Sequence, residues 1–267
     1  MLKALAFVKR DFQLEISYRL SFLLQLFGIF FSVFMFYYVS KLLGEAATPY
    51  LAPYGGDYFS FVLIGIAFAG YFSVGLSGFA SSIRQAQMTG TLEAMLMTPT
   101  KVSTIVLCSS LWRYLMTSLR VLAYLAVGAV FLGVNLGRGN YLAALVILTL
   151  TIVTFSSLGI IAASFIMVLK RGDPVTWLFS TISSLLGGVY YPISILPDWL
   201  QRLSHLLPIT YSLRAMRLAL LRGYPLSALV SDILALLFFS LILLPLSLLS
   251  FRYAVHRAKV DGSLTHY

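Results

Sequence analysis

Residues 141–169 read YLAALVILTLTIVTFSSLGIIAASFIMVL, an apolar run without a single Asp, Glu, Lys or Arg. About 20 such residues in a helix cross the hydrocarbon of a bilayer, so this run reads as a complete membrane span. Its ends are marked by turn-forming residues: Asn135, Gly137, Arg138, Gly139 and Asn140 before it, and Lys170, Arg171, Gly172, Asp173 and Pro174 after it. The rest of the chain follows the same alternation of long apolar runs and short polar breaks.

The chain has 267 residues, 60% hydrophobic and 10% charged, against about a quarter charged in soluble domains. Its mean hydropathy is +0.91, which places it among integral membrane proteins. The net charge of +10 does not point to nucleic acid, because most basic residues flank the apolar runs instead of forming a patch. Six stretches are long enough, or nearly so, to span: 20–43, 58–83, 102–134, 141–169, 175–191 and 226–251. The first is crowded with Phe and Tyr, and the second carries Gly65, Gly70, Gly75 and Gly78, small residues that let helices approach closely. The fifth lies at the short end of the spanning range.

Residues 1–19 set Leu2, Leu5, Val8, Phe12 and Ile16 against Lys9, Arg10, Gln13 and Ser17 at helical spacing, the pattern of an interfacial helix. No small-residue cleavage site follows, so an uncleaved anchor is expected. Residues 252–267 form a tail. With the N terminus inside and six spans, thirteen of the 19 Lys and Arg fall on the inner side and six on the outer, which puts both termini in the cytoplasm by the positive-inside rule. Four of the outer six, Arg202, Arg214, Arg217 and Arg222, lie in one segment between Pro192 and Gly223 that reads as short amphipathic helices near an interface.

Catalytic chemistry is sparse. Cys108 is alone, His205, His256 and His266 are scattered, and no convergent nucleophile, base or metal-ligand set stands out. No GxxxxGK[ST] phosphate loop occurs. Asp57, Asp173, Asp232 and Glu45 all fall near span ends, so an ion-coupled pump lacks an obvious mid-membrane carrier. Arg113 and Arg120, seven apart on one helix face, fit either snorkelling toward lipid phosphates or a functional role. In the fifth span Thr176, Ser180, Ser183, Ser184 and Gly187 make a small, hydroxyl-rich stripe; helix packing and a translocation path explain it equally. Between spans two and three, Gly90 breaks the chain, Thr91 suits an N-cap, Glu93 sits in a first turn and Pro99 ends a short helix whose apolar face is Leu92, Met95 and Leu96. Taken alone this is a surface connector or a docking helix.

The order of these parts, with Gly-Thr-Leu-Glu-Ala-Met-Leu-Met-Thr-Pro over 90–99, Gly187-Gly-Val-Tyr-Tyr-Pro192, Leu196-Pro-Asp-Trp-Leu200 and Leu207-Pro-Ile-Thr-Tyr211, resembles the ABC-2 type transporter permeases. The resemblance covers nearly the whole chain. It implies an all-α integral membrane domain over 1–267, with six spans, a cytoplasmic coupling helix and external re-entrant helices between spans five and six. It further implies a dimer of permeases in the cytoplasmic membrane of a bacterium or archaeon. The partner would be a separate ABC ATPase subunit that holds the ATP and Mg, leaving this chain without a cofactor or catalytic residues. Gly90, Thr91, Leu92, Glu93, Met95, Leu96 and Pro99 would then form the coupling helix, and Lys170, Arg171 and Asp173 a second inner loop. Thr176, Ser180, Ser183, Ser184 and Gly187 would line the path, and Gly188, Tyr191, Pro192 and Pro208 would belong to the external motif. The family often has Asp after the last motif where this chain has Ser212, Leu213 and Arg214. Such permeases export drugs, lipids, glycolipids or polysaccharides. The competing expectations are an ion-coupled secondary transporter and a membrane-embedded lipid-modifying enzyme.

Overall fold

A computed structural model of the chain describes residues 7–9, 12–13, 19–43, 47–88, 102–169 and 174–260. Eight helices carry the fold: α1 Arg19–Leu43, α2 Tyr58–Met88, α3 Val102–Leu132, α4 Tyr141–Leu169, α5 Pro174–Leu186, α6 Asp198–Ser204, α7 Pro208–Arg222 and α8 Val230–Val260. No strand occurs among the described residues. Five of these helices, α1 to α4 and α8, are long and apolar enough to cross a membrane.

Local chemistry sets the helix starts. Asp57 caps α2, its carboxylate accepting the amides of Phe59 at 3.2 Å and Ser60 at 2.8 Å. Asn140 caps α4 through the Ala143 amide at 3.1 Å, while its own amide bonds the Ala219 carbonyl at 2.8 Å. The α3–α4 turn is thereby tied to the end of α7. Pro245 lies inside α8 without ending it.

The fifth apolar stretch departs from the expected 175–191. Helix α5 has 13 residues and ends at Leu186, below the ~17 that a span needs. The cause is local: Gly188 has φ +77°, a conformation that stops a helix, and Gly187 is pressed onto Ile209 of α7. The 192–223 segment holds short helices, as expected, and α7 among them packs into the bundle. In α7, Ile209, Leu213, Ala215, Met216, Ala219 and Leu220 are all buried, enclosed by α2, α4 and α8.

Helices α2 and α4 form the centre. A Cβ on Gly159 of α4 would lie 1.8 Å from the Gly75 carbonyl oxygen of α2, and one on Gly75 would lie 2.6 Å from the Phe155 Cβ. The two backbones therefore meet directly, as small residues permit in lipid. Hydroxyl pairs join the neighbours around them: Tyr71 to Ser118 at 2.7 Å, Tyr114 to Ser156 at 2.5 Å, Thr151 to Ser212 at 2.6 Å and Thr154 to Ser240 at 2.8 Å. Packing loosens outward. Helix α1 presents Leu20, Leu24, Phe27, Phe31 and Leu42 to the exterior, and α5 presents Trp177, Leu178 and Leu185.

Replacing Gly159 by Val would force α2 and α4 apart. Overpacking of this kind costs about 1–3 kcal/mol or more, so the thermal midpoint of the detergent-solubilised protein should fall by several degrees. Gly28→Ala, where a Cβ meets nothing within 4 Å, should leave it unchanged or slightly higher.

Candidate functional site at the junction of α5, α7 and α2

The chain turns sharply after α5, and that turn is fastened on three sides. The Val189 carbonyl accepts a hydrogen bond from Arg217 Nη2 at 3.0 Å, and Arg217 Nε donates to the Phe61 carbonyl of α2, also at 3.0 Å. The Arg217 guanidinium lies over the Phe61 ring, 3.5 Å from its centroid. Among the described residues no carboxylate pairs with it, although it is buried. Tyr58 donates its hydroxyl to the Tyr190 carbonyl at 3.1 Å, and the Tyr190 ring stacks on Phe36 of α1. Only glycine fits at position 65: a Cβ there would sit 2.0 Å from the Val189 oxygen and 2.6 Å from Arg217 Nη2.

The following motif closes the junction. Pro208 starts α7, where its missing amide hydrogen costs nothing. Thr210 donates to the Ser204 carbonyl at 2.6 Å and Tyr211 to the His205 carbonyl at 2.9 Å, so two hydroxyls satisfy the end of α6. Ser212, just after the Leu207–Tyr211 motif, is buried and bonded to Thr151 of α4. Arg214 binds Asp232 in the first turn of α8 through Nε at 2.8 Å and Nη2 at 2.5 Å. Tyr54 packs edge-on against Phe61. Burial pushes its phenol above the ordinary range, with the charges of Arg217 and Arg214 pulling the other way.

Two of the four arginines in the 192–223 segment, Arg214 and Arg217, are thus internal fasteners. The external-motif residues Gly188, Tyr191, Pro192 and Pro208 converge on this junction. Of the α5 stripe, Thr176 and Ser183 are enclosed by the protomer, while Ser180 and Ser184 are half-buried. The Ser183 hydroxyl, 1% exposed, has no hydrogen-bond partner among the described residues. Residues 90–99 and 170–173, with Glu93, Lys170, Arg171 and Asp173, lie outside the described residues. The helices that lead into and out of the first of these segments are tied together, since Arg113 Nη1 of α3 donates to Ser81 Oγ of α2 at 2.5 Å.

Arg217, Tyr58, Thr210 and Gly65 carry this junction and were not singled out from the sequence as site residues. Thr210 stood inside a quoted motif, but Arg217 looked like one more loop charge.

A family model described as ABC-2 type transporter matches residues 4–221. Nodulation protein J of Sinorhizobium fredii (strain NBRC 101917 / NGR234) is 26% identical over an alignment of 201 residues that covers 68% of this chain and 75% of that protein.

Arg217→Met removes an expensive buried charge and also unties the Val189 carbonyl, two effects of opposite sign on global stability. The informative readout is local. Amide hydrogen exchange across 187–196 should quicken about tenfold or more, the loss of roughly 1.4 kcal/mol of local protection, while the 141–169 region is unchanged. Equal exchange in both proteins would remove Arg217 as the fastener.

Proposed function

This chain is a multi-pass membrane permease belonging to the ABC-2 type transporter family, and from that premise we propose that it is the membrane half of an ATP-driven exporter. In this reading two copies form the pathway, a separate ABC ATPase binds the 89–99 segment on the cytoplasmic side, and both termini are cytoplasmic. The observation that carries it is the family match over residues 4–221, a range that includes the 89–99 segment and the 187–211 motifs.

Coupling needs a stiff element between the ATPase and the spans. The Arg113–Ser81 bond supports this, because it makes the ends of α2 and α3 move together when the segment between them is displaced. Helix α2 then runs to Phe61 and Gly65, where Arg217 ties it to the far turn. A push at one end of α2 is felt at the 187–192 turn along one continuous helix.

The path itself is proposed between α2 and α5 of the two copies. Helix α5 is short and amphipathic, with an apolar exposed face and a hydroxyl stripe. On α2, Ser73, Ser77 and Ser81 repeat every fourth residue, their hydroxyls turned toward the preceding turn's carbonyls where Ser77 and Ser81 are concerned. Such a lining suits an amphipathic substrate, a drug, lipid, glycolipid or polysaccharide. Six membrane crossings follow if α5 and the turn after it reach through a thinned region, and α6 with α7 then form the external re-entrant part. The described acids do not favour ion coupling: Asp57 caps α2 and Asp232 is held by Arg214.

The test is a double variant, Leu92→Ala with Glu93→Ala, reconstituted with the cognate ATPase in proteoliposomes. Loss of a packed apolar anchor and a charged contact, each worth about 1–3 kcal/mol at an interface, should lower substrate-stimulated ATP hydrolysis by tenfold or more with normal membrane insertion. Undiminished stimulation would rule out docking through this segment.

A further inference from the structure

Arg120 lies inside a membrane span, yet the export reading gives it no role. It stands in the interior of α3, eighteen residues after Val102 and twelve before Leu132, within the apolar part of that helix. Its side chain is exposed on the outside of the helix bundle. The side chain of a helical residue leans toward the helix start, and Arg120 does so: Nη2 donates to Gln25 Oε1 at 2.5 Å. Gln25 lies six residues after Arg19, the first residue of α1. The guanidinium is thus drawn toward the end of the bundle where α1 and α3 start.

The surroundings form a site for more than a snorkelling cation. Arg120 and Gln25 border a groove of about 350 Å³ between α1 and α3, lined otherwise by apolar side chains including Leu26, Ile29, Leu122 and Ala126. A guanidinium has five N–H donors, and Gln25 is its one partner among the described residues. Asp57, Asp198 and Asp232, the acids among the described residues, stand at the opposite end of the bundle, where α2, α6 and α8 begin. Gln25 is neutral, so it orients the cation without discharging it. An exposed cation at the mouth of an apolar groove is complementary to one kind of molecule: an anionic head joined to a hydrocarbon chain.

We propose that the α1–α3 groove is a binding site for an anionic phospholipid. Its phosphate bonds the Arg120 guanidinium beside Gln25, and one acyl chain lies along Leu26, Ile29, Leu122 and Ala126. The ligand comes from the leaflet at the end where α1 starts. Free phosphate lacks the chain that the groove accepts, and a zwitterionic lipid brings its own cation to the head.

Native mass spectrometry of the full-length protein from nanodiscs of equal phosphatidylglycerol and phosphatidylethanolamine tests this. The parent should retain phosphatidylglycerol preferentially. Arg120→Gln should reduce that retention about tenfold, the scale of one lost charge-assisted hydrogen-bonding site, and Arg120→Lys should recover much of it. Ala126→Trp, at an exposed position that fills the groove and leaves the arginine in place, should also lower it. Arg138→Gln, in the turn at the far end of α3, should change nothing. Thermal midpoints near the parent's show that the variants are folded. Equal phosphatidylglycerol retention in Arg120→Gln and the parent would overturn the proposal. So would a fall from dimer to monomer in Arg120→Gln with lipid retention intact, which would assign the groove to a second copy of this chain.

Discussion

A buried guanidinium with backbone carbonyls and an aromatic face for partners governs the distal half of this molecule. Arg217 touches α2 through the Phe61 carbonyl and ring, and the turn after α5 through the Val189 carbonyl. Burying such a charge is costly unless its hydrogen bonds are made, so the three elements are obliged to meet where the carbonyls converge. The absence of a side chain at Gly65 follows from this, since any Cβ there would strike both the arginine and its acceptor. The short α5 follows as well. To present Val189 to Arg217 the chain must leave the helix at Gly187 and Gly188 and turn back over Ile209.

Around this fastening, packing divides the helices into two groups. Helices α2, α4, α7 and α8 are joined by glycine contacts and hydroxyl pairs that leave few polar groups unsatisfied. Helices α1 and α5 lie at the margin with large apolar faces exposed, which is normal toward lipid and also suits a second protein surface. An exporter that works by alternating access needs a rigid part and a part that yields. The proposed assignment gives the first role to the α2–α4 centre and the second to α5, whose Ser183 hydroxyl is buried without a partner among the described residues.

Much of this was readable in advance because membrane spans announce themselves by uninterrupted hydrophobicity. Helix α4 occupies the expected 141–169, and α1 and α2 lie where aromatic and glycine-rich runs placed them, bounded by residues such as Asp57 and Asn140 that cap helices wherever they stand. The length of α5 was hidden, since Ser, Leu and Gly continue an apolar pattern, and the left-handed turn at Gly188 and the contact of Gly187 with Ile209 end it. Arg217 was misleading for a physical reason. Charge counting treats every arginine as solvated, and nothing within the sequence of α7 says that Arg217 is enclosed against α2 beside the buried Leu213, Met216 and Leu220. The stripe on α5 was visible as a pattern, but which of its hydroxyls are enclosed depends on neighbours far away in the chain. Arg120 was visible as a charge out of place, and the groove that gives it meaning requires α1 and α3 side by side.

The central claim, that this permease is driven by ATP hydrolysed on a partner, is tested most directly by its energy source. Proteoliposomes containing this chain and its cognate ATPase, with nucleotide outside, should accumulate a fluorescent amphipathic substrate only when ATP is hydrolysed, and dissipating the proton gradient should leave uptake unchanged. Accumulation by this chain alone, driven by a proton gradient without nucleotide, would contradict the account.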